Sequence, residues 1–260
     1  MIKADLLHSK PFTLSLSSGF FGFFAHTGFI KALEEKSLKP RMVVGSSAGA
    51  LVAACTASGL TASEMAKEFT AIKKSDFWDV GFGFGLVRGD KMERMFEQFM
   101  APNFASLKIP LQISAFDIFA LKTKTLQSGS VAKAARASCA VPGLFHPVRI
   151  DKRVYLDGGV ADKMGLSGVD RDEFVLAHSL GTTNGFESPR VNRKHFSKLL
   201  QFELKDIPRS GPDRLHVGGE IITESYRQSK LWLEAPVENL ALLPAMAHSE
   251  NSKHNNNLTL

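Results

Sequence analysis

Apolar and polar residues alternate through Phe12-Thr13-Leu14-Ser15-Leu16, the two-residue period of a strand that buries one face. The chain breaks at Ser17-Ser18-Gly19-Phe20-Phe21-Gly22 and resumes with a helical segment that includes Ala25 to Glu35. Val43-Val44 is a short β-branched run. It is followed by Ala50 to Ser58, small apolar helix formers stopped by Gly59, so a strand and then a buried helix are expected there. Thr61-Ala62-Ser63-Glu64 reads as a helix cap with its capping-box glutamate, opening a helix to about Lys74. Asp90 to Met100 sets Met92, Met95, Phe96 and Phe99 on one side of an amphipathic helix, a stripe assigned to the core. Leu111 to Asp117 reads as a strand, Val131 to Ala140 as a small-residue helix, and Val148–Ile150 with Val154–Leu156 as strands bracketing a turn at Asp151-Lys152-Arg153. Gly219 to Leu233 is helical in pattern. The glycine-aromatic stretch Phe77 to Val87 is irregular; packing against the core is preferred for it over an apolar lip above a lipid site. Strands alternating with helices in this order fit a parallel sheet whose loops gather at the strands' C-terminal ends.

Two short motifs bring chemistry to that frame. Gly45-Ser46-Ser47-Ala48-Gly49 is a G-x-S-x-G pentapeptide behind the second strand, the context of a nucleophile elbow, with Ser47 as nucleophile and Gly45 and Gly49 giving the turn room. Asp157-Gly158-Gly159 closes a strand; the aspartate is either a turn former or a carboxylate held ready to accept a proton. The Ser17–Gly22 turn is either an ordinary strand–helix loop or a concavity of backbone N–H groups fit for an oxyanion.

Composition narrows the class. With 260 residues, 44% hydrophobic and 22% charged, the chain can bury a substantial core. Residues 10–185 are expected to form the core of one α/β domain, 186–246 an extension packed on it, and 247–260 a polar, disordered tail. Cys55 and Cys139 lack metal-ligand or C-x-x-C spacing and are expected as reduced thiols. The first ten residues have no signal-peptide core, and the apolar run Gly19–Ile30 is too short to cross a bilayer. A cytoplasmic protein, peripheral at membranes, is expected. The net charge of +6 and several basic residues between Arg190 and Arg214 suit anionic phospholipid headgroups; without zinc-finger or RNP-like patterns, nucleic acid is not an expected partner.

Together the stretches Leu14–Gly19, Ala25–Glu35, Gly45–Gly49, Ala137–Val148 and Tyr155–Val160 resemble, in order, the patatin-like phospholipase family, over roughly residues 12–180. The resemblance implies a three-layer α/β/α fold with a mainly parallel central sheet. It also implies a lipid acyl hydrolase with Ser47 and Asp157 as a two-residue catalytic unit, working through an acyl-enzyme without metal or organic cofactor. Backbone N–H groups of Ser18, Gly19 and Phe20 would form the oxyanion hole, and Gly158 and Gly159 the aspartate turn. The family's loop usually reads G-G-G-x-R/K-G, whereas here Ser18-Gly19-Phe20-Phe21-Gly22-Phe23 lacks the basic residue. A phenylalanine in such a loop is not expected to take the positive φ angles open to glycine. Phe20, Phe21, Phe23 and Phe24 could wall an acyl site or pack the core. Two rival readings remain: a Ser-Asp-His triad completed by His178, His195 or His216, and a lipid-binding protein of the same fold without turnover. His26 and His146 are assigned to packing or surface roles.

Overall fold

Thr13–Leu16 forms strand β1, preceded by helix α1 (Lys3–Ser9) and followed by α2 (Phe23–Glu35), β2 (Met42–Ser46) and α3 (Ala48–Ser58). The structure is a computed structural model and describes residues 1–181, 191 and 195–238; the expected tail from 247, and part of the basic stretch that begins at Arg190, lie outside them. The chain continues through α4 (Ala62–Ala71), α5 (Lys74–Phe77), β3 (Gly85–Val87), α6 (Asp90–Glu97), β4 (Leu111–Asp117), β5 (Lys122–Leu126) and α7 (Val131–Ser138). It ends with β6 (Gly143–Phe145), β7 (Val148–Ile150), β8 (Arg153–Asp157), β9 (Val175–Leu180), β10 (Leu199–Leu204) and α8 (Gly218–Glu234).

The central sheet runs β10-β9-β1-β2-β4-β8-β7, with β5 also on β4. Its first five strands are mutually parallel, so their C-terminal ends share one edge. Alternation along the strands feeds two cores. Leu14, Leu16, Val43 and Leu176 face the large one with the helices, while Val44, Val175 and Ala177 face a smaller one closed by Met164, Leu166, Val169 and Phe196. The result is a mixed α/β fold, a mostly parallel sheet flanked by helices, as the sequence pattern implies.

The pairing on β4 positions the site. β5 occupies one edge of β4 over Ile113–Asp117. On the other edge, β2 pairs with Leu111–Ser114 and β8, running the opposite way, with Ala115–Asp117. Two strands therefore approach each other head-on along one edge and end at neighbouring positions. Ser46 stands opposite Ser114, and Asp157 opposite Ala115.

Two expectations need correction. The helix read from Thr61 to Lys74 breaks at Ile72-Lys73: Ile72 turns extended, and the Asp76 carboxylate accepts the Lys73 N–H at 2.8 Å to start a new turn. The stretch Phe77–Val87 packs against the core only at its ends, where Phe77 and Val87 are buried; Phe82 and Phe84 are exposed.

Candidate active site

Ser47 sits between β2 and α3 with φ 52° and ψ −123°, a left-handed backbone that costs a non-glycine residue about 1–3 kcal/mol. The turn is tight because α3 begins against the end of β1. A Cβ on Gly49 would lie 2.1 Å from the Leu16 carbonyl oxygen, and one on Gly45 2.6 Å from the Gly49 backbone. Only glycines fit. The Ser47 N–H donates to Ser138 Oγ at 2.8 Å, and that hydroxyl donates to the Ser114 carbonyl at 2.6 Å. Ser138 thereby ties the elbow to β4.

The Ser47 hydroxyl donates to Asp157 Oδ2 at 2.7 Å, and the other carboxylate oxygen accepts the Gly159 N–H at 2.7 Å. A Cβ on Gly158 would meet the Ser114 carbonyl oxygen at 2.2 Å, so the aspartate turn is as closely fitted as the elbow. Burial pushes the Asp157 carboxyl up to about 6, against the hydrogen bonds from Ser47 and Gly159, which hold it down. Burial, with the charge of Asp157, also raises the neighbouring Cys139 thiol well above its usual range, and both cysteines are free.

Three N–H groups were expected beside the serine. That of Ser18 donates to the Lys163 carbonyl at 2.7 Å and is not available: the chain after Asp162 is folded against the loop and takes it. The N–H groups of Gly19 and Phe20 make no hydrogen bond among the described residues, and both residues line one cavity with Ser47. Ala48, not singled out from the sequence, also lines that cavity, and its N–H at the first turn of α3 is likewise unpaired there. Contrary to expectation, Phe21 adopts a φ of 55°. Its ring is held among Phe20, Phe23 and Phe77 at centroid distances of 4.9, 5.7 and 5.8 Å, and its carbonyl accepts from Ser210 Oγ.

The cavity, of about 80 Å³, is almost wholly apolar; its walls include Leu51, Phe77, Met92, Phe96, Val141 and Phe145. Phe20, Phe21 and Phe23 line it too, whereas Phe24 is core. The methionine and phenylalanine stripe of α6 thus serves both core and cavity.

Among the described residues no histidine hydrogen-bonds to Ser47 or Asp157. His26 and His178 are instead bonded to each other. His26 Nε2 lies 2.8 Å from the Ser17 carbonyl, which only accepts, so that nitrogen carries the proton. Neutral His26 then presents a bare Nδ1 to the Nδ1–H of His178 at 2.8 Å, and His178 Nε2 has no partner among the described residues. Burial lowers both, His26 to about 4. The pair braces the strand end that leads into the Ser18–Gly22 loop. His146 bonds to the Gly81 and Gly85 carbonyls, and no cluster of potential metal ligands occurs among the described residues.

Ser138 escaped sequence reasoning because a serine in an alanine-rich helix carries no signal. Ala48 could have been flagged, since an elbow motif itself assigns a donor to the residue after its serine.

A serine turned out at a strand–helix elbow onto a buried carboxylate, beside free N–H donors and an apolar cavity, has the parts for acyl transfer. Residues 14–170, more than half of the chain, match the patatin-like phospholipase family. An uncharacterised NTE family protein of Mycobacterium tuberculosis is 32% identical over 207 residues, covering 74% of this chain and 56% of that protein. The chain thus spans little more than half the length of that relative. The uncharacterised protein YqhO of Bacillus subtilis is 27% identical over 253 residues, covering 83% of this chain and 84% of its own. Among solved structures, VipD from Legionella pneumophila shares the fold with a TM-score of 0.61 at 16% identity, over 86% of this chain and 67% of its own. ExoU in the ExoU–SpcU complex of Pseudomonas aeruginosa gives 0.50 at 17% identity, over 86% and 51%. The protein belongs to the patatin-like phospholipase family.

Proposed function

We propose that the protein cleaves fatty-acyl ester bonds of lipids through a Ser47–Asp157 dyad. The observation that carries this reading is the 2.7 Å hydrogen bond from the Ser47 hydroxyl to the Asp157 carboxylate beside an apolar cavity. As Ser47 Oγ attacks the ester carbonyl, its proton passes to Asp157 Oδ2, and the oxyanion is held by N–H groups of Gly19 and Phe20, joined by Ala48. The protonated Asp157 then gives its proton to the departing alkoxide, leaving an acyl-enzyme. Asp157 next takes a proton from water, which attacks the acyl carbon, and returns it to Ser47 as the fatty acid leaves. A carboxylate is a weak base for an alcohol; burial that lifts Asp157 to about 6 narrows the mismatch and lets proton transfer accompany attack. The apolar walls suit an acyl chain, and the reading needs no metal or organic cofactor.

A fluorophosphonate probe tests it. Labelling is expected on the wild-type protein and absent from Ser47→Ala; acyl release from mixed phospholipids, galactolipids and acylglycerols then gives the substrate class. Folded wild-type protein that resists the probe would favour lipid binding without turnover, the role suggested by the missing basic residue in the Ser18–Phe23 loop.

A further inference from the structure

We propose that the loop Val80–Leu86 docks the protein on an anionic phospholipid bilayer by placing Phe82, Phe84 and Leu86 at the headgroup–acyl boundary. Single exposed apolar residues need no explanation, but these form a cluster. Phe82 is 104% and Phe84 90% exposed, with Val80 and Leu86 at 60% and 49%. Four apolar side chains within seven consecutive residues face solvent.

The loop is built, not frayed. Val80 and Val87 form an antiparallel bridge, Gly81 N–H donates to the Leu86 carbonyl and Arg88 N–H to that of Asp79. The Asp79 carboxylate accepts the N–H groups of Gly89 and Lys91 at the loop's base. His146 Nε2 sits beneath the tip, 3.3 Å from the Gly81 carbonyl and 3.0 Å from that of Gly85. Gly83, at φ 151°, passes so near this imidazole that a Cβ would lie 2.2 Å from it. The fold thus fixes an apolar tip in water, an arrangement that offers the folded monomer no hydrophobic gain.

Its position ties it to the cavity. Phe77, just before the loop, lines the cavity, and β3 pairs with β6, whose Phe145 lines it as well. A second apolar projection, Phe119 at 72% and Leu121 at 77% exposure, lies in the β4–β5 turn. That turn extends beyond the C-terminal end of β4, the sheet edge at which β2 delivers Ser47.

Charge selects the partner. Arg88 and Lys91 follow the loop, Lys122 adjoins Leu121, Lys152 occupies the β7–β8 turn and Arg153 opens β8; all five are exposed. Asp151 is exposed in the same turn, and the Asp117 carboxylate binds Arg153 at 2.5 Å. The whole chain carries +6. Apolar tips with cations beside them match the headgroup–acyl boundary, where the rings enter and the cations meet lipid phosphates. A narrow loop offers far less than the about 800 Å² per partner of a stable protein interface, which argues against a second copy as occupant.

The inference extends the lipid-hydrolase reading of the Ser47 site, but its test does not need turnover. Ser47→Ala protein is mixed with vesicles of phosphatidylcholine alone or of an equimolar mixture with phosphatidylglycerol, then sedimented. Binding to the mixed vesicles is expected, weaker on phosphatidylcholine and in high salt. Adding Phe82→Ser and Phe84→Ser should lower partitioning by about 100-fold, the loss expected from two aromatic side chains. In otherwise wild-type protein the same pair should leave hydrolysis of a soluble short-chain p-nitrophenyl ester unchanged and depress hydrolysis of vesicle lipid. Equal vesicle binding with and without the two phenylalanines would overturn the proposal. So would absence of vesicle binding by folded Ser47→Ala protein, or a loss of soluble-ester hydrolysis matching that on vesicles. A change from dimer to monomer in the double variant, with no vesicle binding by the parent, would assign the loop to self-association instead. Wild-type protein that binds vesicles and hydrolyses neither substrate would sink the hydrolase reading and leave docking standing.

Discussion

As the proposed base, Asp157 would combine reactivity with instability. Its carboxyl is lifted to about 6 by burial, so the basic form predominates only above that pH. The rate constant kcat/KM for a soluble ester is expected to rise through pH about 6 and level off above it; a profile flat from pH 5 to 8 would remove Asp157 as base. Asp157→Asn should lose about 10³-fold or more in rate. The same substitution removes a charge the folded state holds at a disadvantage at neutral pH, so its Tm should rise there by about 2–6 °C. Ser138 acts through another group. Its hydroxyl fastens the Ser47 N–H to the Ser114 carbonyl, so Ser138→Ala should lower kcat by about 10–100-fold, as misplaced nucleophiles do, with KM little changed. A rise in KM at constant kcat would give Ser138 a binding role instead.

At the scale of elements, the elbow was legible and its partner's location was not. The glycines of 45–49 announce a strand turning sharply into a helix, and the structure shows why: Gly49 touches the Leu16 carbonyl where β1 and α3 meet. Gly49→Ala should therefore push α3 off β1, costing about 1–3 kcal/mol in urea unfolding and more in activity than in stability. What no local pattern reveals is that β2 and β8 share one edge of β4. Strand pairing is non-local, so Asp157-Gly158-Gly159 by itself read equally well as a turn. The Ser18 N–H was assigned to an oxyanion because nothing in the sequence indicates that Lys163, 145 positions away (163 minus 18), takes it. Phe82 and Phe84 were expected inside because aromatic residues bury area when they can; their loop instead carries them outward on a platform fixed by His146.

For the whole molecule, two buried sites pull acid stability in opposite directions. Asp157 keeps its proton more tightly folded, at about 6, than at its ordinary 3.8, so it adds stability as the pH falls from 6 toward 4. His26 is lowered from 6.5 to about 4, and His178 is lowered with it, so the stability they lend above 6.5 is lost over the same range. Wild-type protein should lose Tm gently between pH 6 and 4, and Asp157→Asn, without the counterweight, steeply. Parallel curves in thermal unfolding would contradict this balance. α8 packs on α2, where the Ser225 hydroxyl donates to the Ala25 carbonyl at 2.6 Å, and the Ser210 hydroxyl donates to the Phe21 carbonyl in the loop beside Ser47.

The meeting of β2 and β8 on one strand has a consequence for synthesis. A nascent chain that has emerged only as far as β5 already contains the proposed nucleophile but not its base, which arrives with the last residue of β8. On the proposed dyad, a chain cut short before Asp157 lacks its base, and hydrolytic competence waits for β8 to pair with β4.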